Sequence, residues 1–220
     1  MRELCGERPI LVRMLLAEDL VVLLVATSSG DLPRHSGTQS ALAAALLVEL
    51  AESRRVTIVD DDVVRTDTTT TDDPILDAAL AALAERQPVT DAVAAIVPDL
   101  YVRLLDRLVE RGILAPKARN LVPLAPRHIW RVADTTRRDH LRVWLAGVLS
   151  GHSAADQWSA ALISLLHALN LVDVVTDGTA AFERAEEISR SGWAAAAVIH
   201  PIIDRGHLLA DFSAVPGPQF

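Results

Sequence analysis

The chain has 220 residues and 23.7 kDa, and its 21 Lys+Arg against 29 Asp+Glu leave a formal net charge of -8 and a pI near 5.3, a balance that argues against a generic polyanion binder. Half of the residues are hydrophobic but only 4% are aromatic, so the core is built largely from Leu, Ala and Val and favours helix over sheet. The length fits one globular domain, or two small ones at most.

In chain order, the first strong signal is Leu11 to Ala26, with Leu15, Leu16, Leu20, Val21, Leu23 and Leu24 forming an apolar stripe around Glu18-Asp19. This predicts a mostly buried helix. It does not predict a membrane span, because Arg13, Glu18 and Asp19 interrupt Ile10 to Thr27. After a polar loop, the Ala/Leu-rich run Ala41 to Glu52 predicts a second, strongly buried helix. Arg55 to Val59, the turn Asp60-Asp61-Asp62 and Val63 to Thr66 read as a short β-hairpin.

Asp73-Pro74 is an N-cap followed by a first-turn proline, and it opens a helix over Ile75 to Ala84 that Pro88 stops. Asp91 to Val97 is a short helix. Leu100, Leu104, Leu105, Leu108 and Val109 predict another, ending at a Gly112 C-cap. Ile113-Leu114, a basic turn at Lys117 to Asn120 and Leu121-Val122 suggest a second hairpin, so that a buried helix running into two short strands occurs twice. Helices follow over Thr136 to Leu149, Ala154 to Leu171 and Ala180 to Val198, the last stopped by Pro201. The fold class is mainly α: a single helical domain over residues 9–212, with a central buried bundle, surrounding amphipathic helices and one or two β-hairpins. Residues 1–8 and 213–220 read as flexible ends.

Catalytic and metal motifs are lacking. There is no glycine-rich phosphate loop, no Gly-x-Ser-x-Gly and no Walker-type Gly-Lys-Ser/Thr. Gly151-His152-Ser153 reads as a helix-capping loop. The seven histidines show no helical zinc spacing with Glu, and His200, Asp204 and His207 lack a thiolate or second carboxylate to make a metal set. The acidic tract from Asp60 to Asp77 does not follow a calcium loop, and turn and N-cap roles account for it. The reading is therefore a non-enzyme with no catalytic residue, metal or cofactor. A lone cysteine, Cys5, cannot form an internal disulfide, which together with the lack of a secretion signal over Met1 to Arg8 points to a cytoplasmic chain.

The charge distribution is more informative than its total. Residues 101–150 hold ten Lys/Arg and four acids, a local +6 that leaves -14 on the rest. Within this window Arg103, Arg107 and Arg111 recur every fourth residue, on one helix face opposite Leu104, Leu105 and Leu108. Two readings stand: a solvated face paired with Asp106 and Glu110, or a docking patch for phosphate, which guanidinium groups bind with bidentate donors.

The segments Leu15-Leu16-Ala17-Glu18-Asp19-Leu20, Ala43 to Ala51, Thr69 to Leu80 and Leu105 to Leu114, with Ala160 to Ala168, resemble the Golgi phosphoprotein 3 family in order and spacing over most of residues 9–200. The resemblance implies a helical core, no catalysis, a cytosolic peripheral membrane adaptor and, as in eukaryotic members, recognition of phosphatidylinositol 4-phosphate. By alignment the family's headgroup tryptophan falls on Arg34, its helix arginine on Ala43, and its two further arginines near Pro98 and Tyr101, so none of the four is retained. Arg34 and Arg103 lie near that site by the same alignment. With Arg107, they are the candidate contacts for an anionic lipid headgroup. The resemblance also implies self-association through the hairpin at residues 114–124, with Leu121, Val122 and Leu124 as its apolar residues. The competing reading, prompted by helix followed by hairpin twice, is a winged-helix nucleic-acid-binding regulator. The net charge and the lack of basic wing residues make nucleic acid the weaker partner.

Overall fold

A computed structural model describes residues 14–25, 37–116 and 130–191. Among these, eight α-helices and five short strands form a mainly α fold: α1 (Leu16–Val25), α2 (Thr38–Glu52), β1 (Val56–Val59), β2 (Asp62–Arg65), α3 (Pro74–Ala82), β3 (Arg86–Pro88), α4 (Val89–Ile96), α5 (Leu100–Glu110), β4 (Leu114–Pro116), β5 (Trp130–Val132), α6 (Thr136–Leu149), α7 (Gln157–Ala168) and α8 (Thr179–Arg190). Every residue of α1 is buried. It packs against α2, α5, α6 and α7, while α2 also meets α3 and α4. Leu16, Leu20, Leu23 and Leu24 of α1 and Leu42, Leu46, Leu47 and Leu50 of α2 are among the largest fully buried side chains, each contributing about 1.5–3 kcal/mol by leaving water.

Four helices end by one device. The chain turns through a left-handed residue at Arg54, Gly112, Gly151 and Asn170, and the next N–H reaches back to the last turn: Arg55 to Leu50 O at 2.8 Å, Ile113 to Leu108 O at 2.9 Å, His152 to Gly147 O at 2.9 Å and Leu171 to Leu166 O at 2.8 Å. These are Schellman closures, which satisfy carbonyls that a helix end otherwise orphans. The first two lead into antiparallel strand pairs, so the internal echo is structural: α2 into β1-β2 and α5 into β4-β5. Helix starts are equally local. Asp73 Oδ1 accepts from Ile75 N–H at 2.8 Å to open α3, and Asp156 with Ser159 forms a capping box on α7.

The structure departs from the sequence-based expectations in several places, beginning with α1, which starts at Leu16 rather than Leu11. Helix α3 stops at Ala82, where Leu83 turns extended, and Pro88 instead closes an unforeseen strand, β3, that pairs with β2 to give a sheet of order β1-β2-β3. Arg86-Gln87-Pro88 has no apolar alternation; the strand is held by backbone bonds such as Arg65 N–H to Glu85 O at 2.9 Å. Among the described residues the partner of β4 is Trp130–Val132, whose Trp130 and Val132 pack on the core from that register; Leu121-Val122, expected in this role, lies outside the described residues. Helix α7 starts at Gln157, where its cap is, rather than at Ala154. Helix α8 ends at Arg190 as Ser191 turns extended, so it does not run continuously toward Val198, which lies outside the described residues.

Candidate functional site

Helix α5 carries the candidate basic face. Leu100, Leu104, Leu105 and Leu108 are buried, and the other side presents Val102, Arg103, Asp106 and Glu110 to solvent. Arg103 is exposed and makes no ion pair among the described residues. One turn on, Arg107 behaves differently. Its side chain is 15% exposed, its Nε donates to Glu18 Oε1 at 3.0 Å and its Nη1 donates to Asp73 Oδ2 at 2.7 Å. Its Nη2 is buried as well and has no hydrogen-bond partner among the described residues. Arg111 Nη1 also reaches both oxygens of Glu18, each at 3.2 Å. Arg107 and Arg111 therefore pair with Glu18 of α1, and Arg107 also with the cap of α3, rather than with Asp106 and Glu110. Arg34, Leu121, Val122 and Leu124 lie outside the described residues.

Glu18 and its neighbour Asp19 interrupt the apolar stripe of α1. Both are fully buried. Glu18 accepts from its own Leu15 N–H at 2.8 Å, next to Glu49 of α2, which accepts from Leu16 N–H at 2.5 Å. Asp19 faces the other way. Its Oδ1 takes Arg137 Nε at 2.8 Å and its Oδ2 takes Arg137 Nη2 at 2.5 Å and Trp158 Nε1 at 3.0 Å. Glu18 thus ties α1 to α3 and α5, and Asp19 ties it to α6 and α7. A buried carboxylate survives only with such donors around it. Sequence reasoning missed Glu18, Asp19, Arg137 and Trp158 as a set; the available signal was an acidic pair inside an otherwise apolar run.

Burial pushes the Glu18 carboxyl above the ordinary Glu range, and this outweighs the opposing pull of the Leu15 N–H, Arg107 and Arg111. A carboxyl whose affinity for a proton is higher when folded favours the fold at low pH and loses that contribution as pH rises through its folded value. The native protein is therefore expected to lose stability relative to Glu18→Gln as pH rises from about 4.5 toward neutrality, as urea denaturation at stepped pH would read out. A constant difference between the two proteins across this window contradicts the assignment.

Two other features bear on function. A shallow cleft of about 480 Å³ between the end of α6 and α8 is lined by Glu183, Glu187 and Arg184, together with Ser150 and Gly151; its two carboxylates disfavour an anionic headgroup. Among the described residues, no helix is long and apolar enough to cross a membrane.

With this geometry in view, comparison with known families is decisive: the family model for Golgi phosphoprotein 3 (GPP34) matches residues 16–202, most of the chain. The chain belongs to the Golgi phosphoprotein 3 family. The match takes in both α1 carboxylates and both helix-to-strand repeats, and membership is consistent with a lipid-binding adaptor. No curated protein matches the chain.

Proposed function

We propose that this Golgi phosphoprotein 3 family member is a non-enzymatic adaptor that docks reversibly on the cytosolic face of a membrane by binding anionic phospholipid headgroups, of the phosphatidylinositol 4-phosphate kind. The observation that carries the reading is Arg103, an exposed guanidinium with no ion-pair partner among the described residues, within the +6 window of an otherwise acidic chain. Val102 beside it is 56% exposed, so a basic group and an apolar side chain sit together where an interfacial surface needs them. Arg34 belongs to the same proposal. Arg107 acts as a positioning residue, holding α5 against α1 and α3 through Glu18 and Asp73, while its neighbour one turn away meets the lipid.

Each basic residue near an anionic surface contributes about 1 kcal/mol, so a few suffice for reversible attachment. Flotation with vesicles containing phosphatidylinositol 4-phosphate is expected to carry the native protein. Arg103→Glu is expected to lower the bound fraction several-fold, and added salt to lower binding of the native protein. Binding that survives Arg103→Glu unchanged, or that is equal on purely zwitterionic vesicles, overturns the patch. Because Arg103 is exposed, circular dichroism of the variant should match that of the native protein. Self-association through Leu121, Val122 and Leu124 is part of the same proposal. A salt-dependent shift on random duplex DNA, with no vesicle binding, would favour the nucleic-acid reading instead.

A further inference from the structure

The three-stranded sheet has two edges of different character. At one, β3 is three residues long and ends in Pro88, which has no N–H to offer and blunts further pairing. At the other, β1 reads Val56-Thr57-Ile58-Val59 with neither proline nor lysine. Its register with β2 pairs Thr57 with Val64 and Val56 with Arg65, and Arg55 O accepts from Thr66 N–H at 2.9 Å. In an antiparallel ladder the bonded pairs alternate, so Arg55, Thr57 and Val59 bond inward to β2. The N–H and C=O groups of Val56 and Ile58 point away from the sheet, and no backbone group among the described residues meets them.

The flanks of this edge carry opposite charges. Arg54 precedes it, exposed and held at φ 58° by the end of α2. Asp60 and Asp61 follow it at φ 53° and 64°, the two central positions of a type I′ turn, both exposed. None of the three has an ion-pair partner among the described residues. Val59 on the same edge is 42% exposed.

We propose that the β1 edge is a self-complementary interface for a second copy of this chain, paired antiparallel about a two-fold axis through Thr57. Of the two-fold registers that set outward groups against outward groups, the one centred there engages those of both Val56 and Ile58, each against the other in the partner. The same register brings Arg54 opposite Asp60 of the second copy, twice by symmetry. It also places Thr57 against its own counterpart in the close, non-bonded pair position, where threonines interact well, and lays the stem of Arg55 over the exposed Val59. The two sheets become one. An occupant with the same charge at both ends would not fit, whereas an antiparallel copy reverses the order of the charges.

The test is a charge exchange read by sedimentation velocity over a concentration series. Native protein is expected to dimerise; Arg54→Asp or Asp60→Arg alone should weaken this on the order of tenfold, since each puts like charges opposite one another. Mixing the two variants, or combining both changes in one chain, should restore it. Aspartate tolerates the left-handed backbone of position 54, and arginine at position 54 already adopts nearly the φ that position 60 requires, so both variants should keep the native circular dichroism spectrum. In a Cys5→Ser background, Thr57→Cys should form an intermolecular disulfide on mild oxidation, because residues in that pair position lie within bridging distance, while Val143→Cys, exposed on α6, should not. A native protein that stays monomeric, a dimer indifferent to both charge reversals, or a Thr57→Cys protein that cross-links no faster than Val143→Cys overturns the proposal. Indifference to the reversals together with loss of the dimer on changing Leu121, Val122 and Leu124 would assign self-association to the other hairpin.

Discussion

Arg107→Ala is expected to destabilise the protein by about 3–5 kcal/mol in urea denaturation, the range for breaking a buried pair from one side. Arg107 answers two acids at once: Glu18, which has no access to water, and Asp73, whose other oxygen caps α3. Without the guanidinium, the partners left to Glu18 among the described residues are Leu15 N–H and the longer contacts of Arg111, whose side chain is 30% exposed. The loss should lie toward the lower end of the range for that reason, and Arg111→Ala alone should cost less. Adding Glu18→Gln to Arg107→Ala should recover part of the stability, because the charge left uncompensated is then gone. Arg107→Lys should fall between the two, since one ammonium on a flexible stem cannot serve two diverging carboxylates as a planar fork does. A cost for Arg107→Ala well under about 1 kcal/mol would show that the pairing contributes as little as a surface salt bridge.

The second large effect is expected at Asp19→Ala, also about 3–5 kcal/mol. This substitution removes a carboxylate with no solvent exposure and leaves the Arg137 fork and the Trp158 indole N–H without an acceptor. Since α6 and α7 meet α1 through these bonds, the loss is of inter-helix registration as well as of charge pairing. Asp19→Asn keeps one acceptor oxygen for the indole or the guanidinium and should cost less than Asp19→Ala. In a double-mutant cycle, Asp19→Ala with Arg137→Ala should show a coupling of the order of 1–3 kcal/mol; strict additivity would mean that the two residues do not depend on each other.

Both effects converge on α1, whose role is wider than filling a core. Its two adjacent acids point to opposite sides and together reach α3, α5, α6 and α7. The headgroup proposal depends on this arrangement indirectly, because the turn that carries Arg103 is the one just before the turn that Arg107 fastens down. Arg107→Ala should therefore weaken vesicle binding only as far as it loosens α5. Arg103→Glu should weaken binding with little change in stability.

Much of the architecture followed from neighbouring residues alone. The Asp73-Pro74 start of α3, the Gly112 end of α5, the β1-β2 hairpin around its aspartates and the apolar stripes of α2 and α5 are set within a few positions, where caps, turns and periodicity act. The family, too, was legible in the order and spacing of such segments. Tertiary structure decided what depends on contacts between remote positions. Arg107 and Glu18 are 89 residues apart and Arg137 and Asp19 are 118, so no local pattern distinguishes a carboxylate buried beside an arginine from one on a solvated face. Strand β3 exists because β2 offers it an edge, and β4 pairs with Trp130–Val132 because those side chains reach the core. The sequence placed three arginines in one row of α5. Packing then gave them different surroundings: Arg107 and Arg111 meet the interior charge of Glu18, where desolvation demands a partner, and Arg103 stays exposed at the surface.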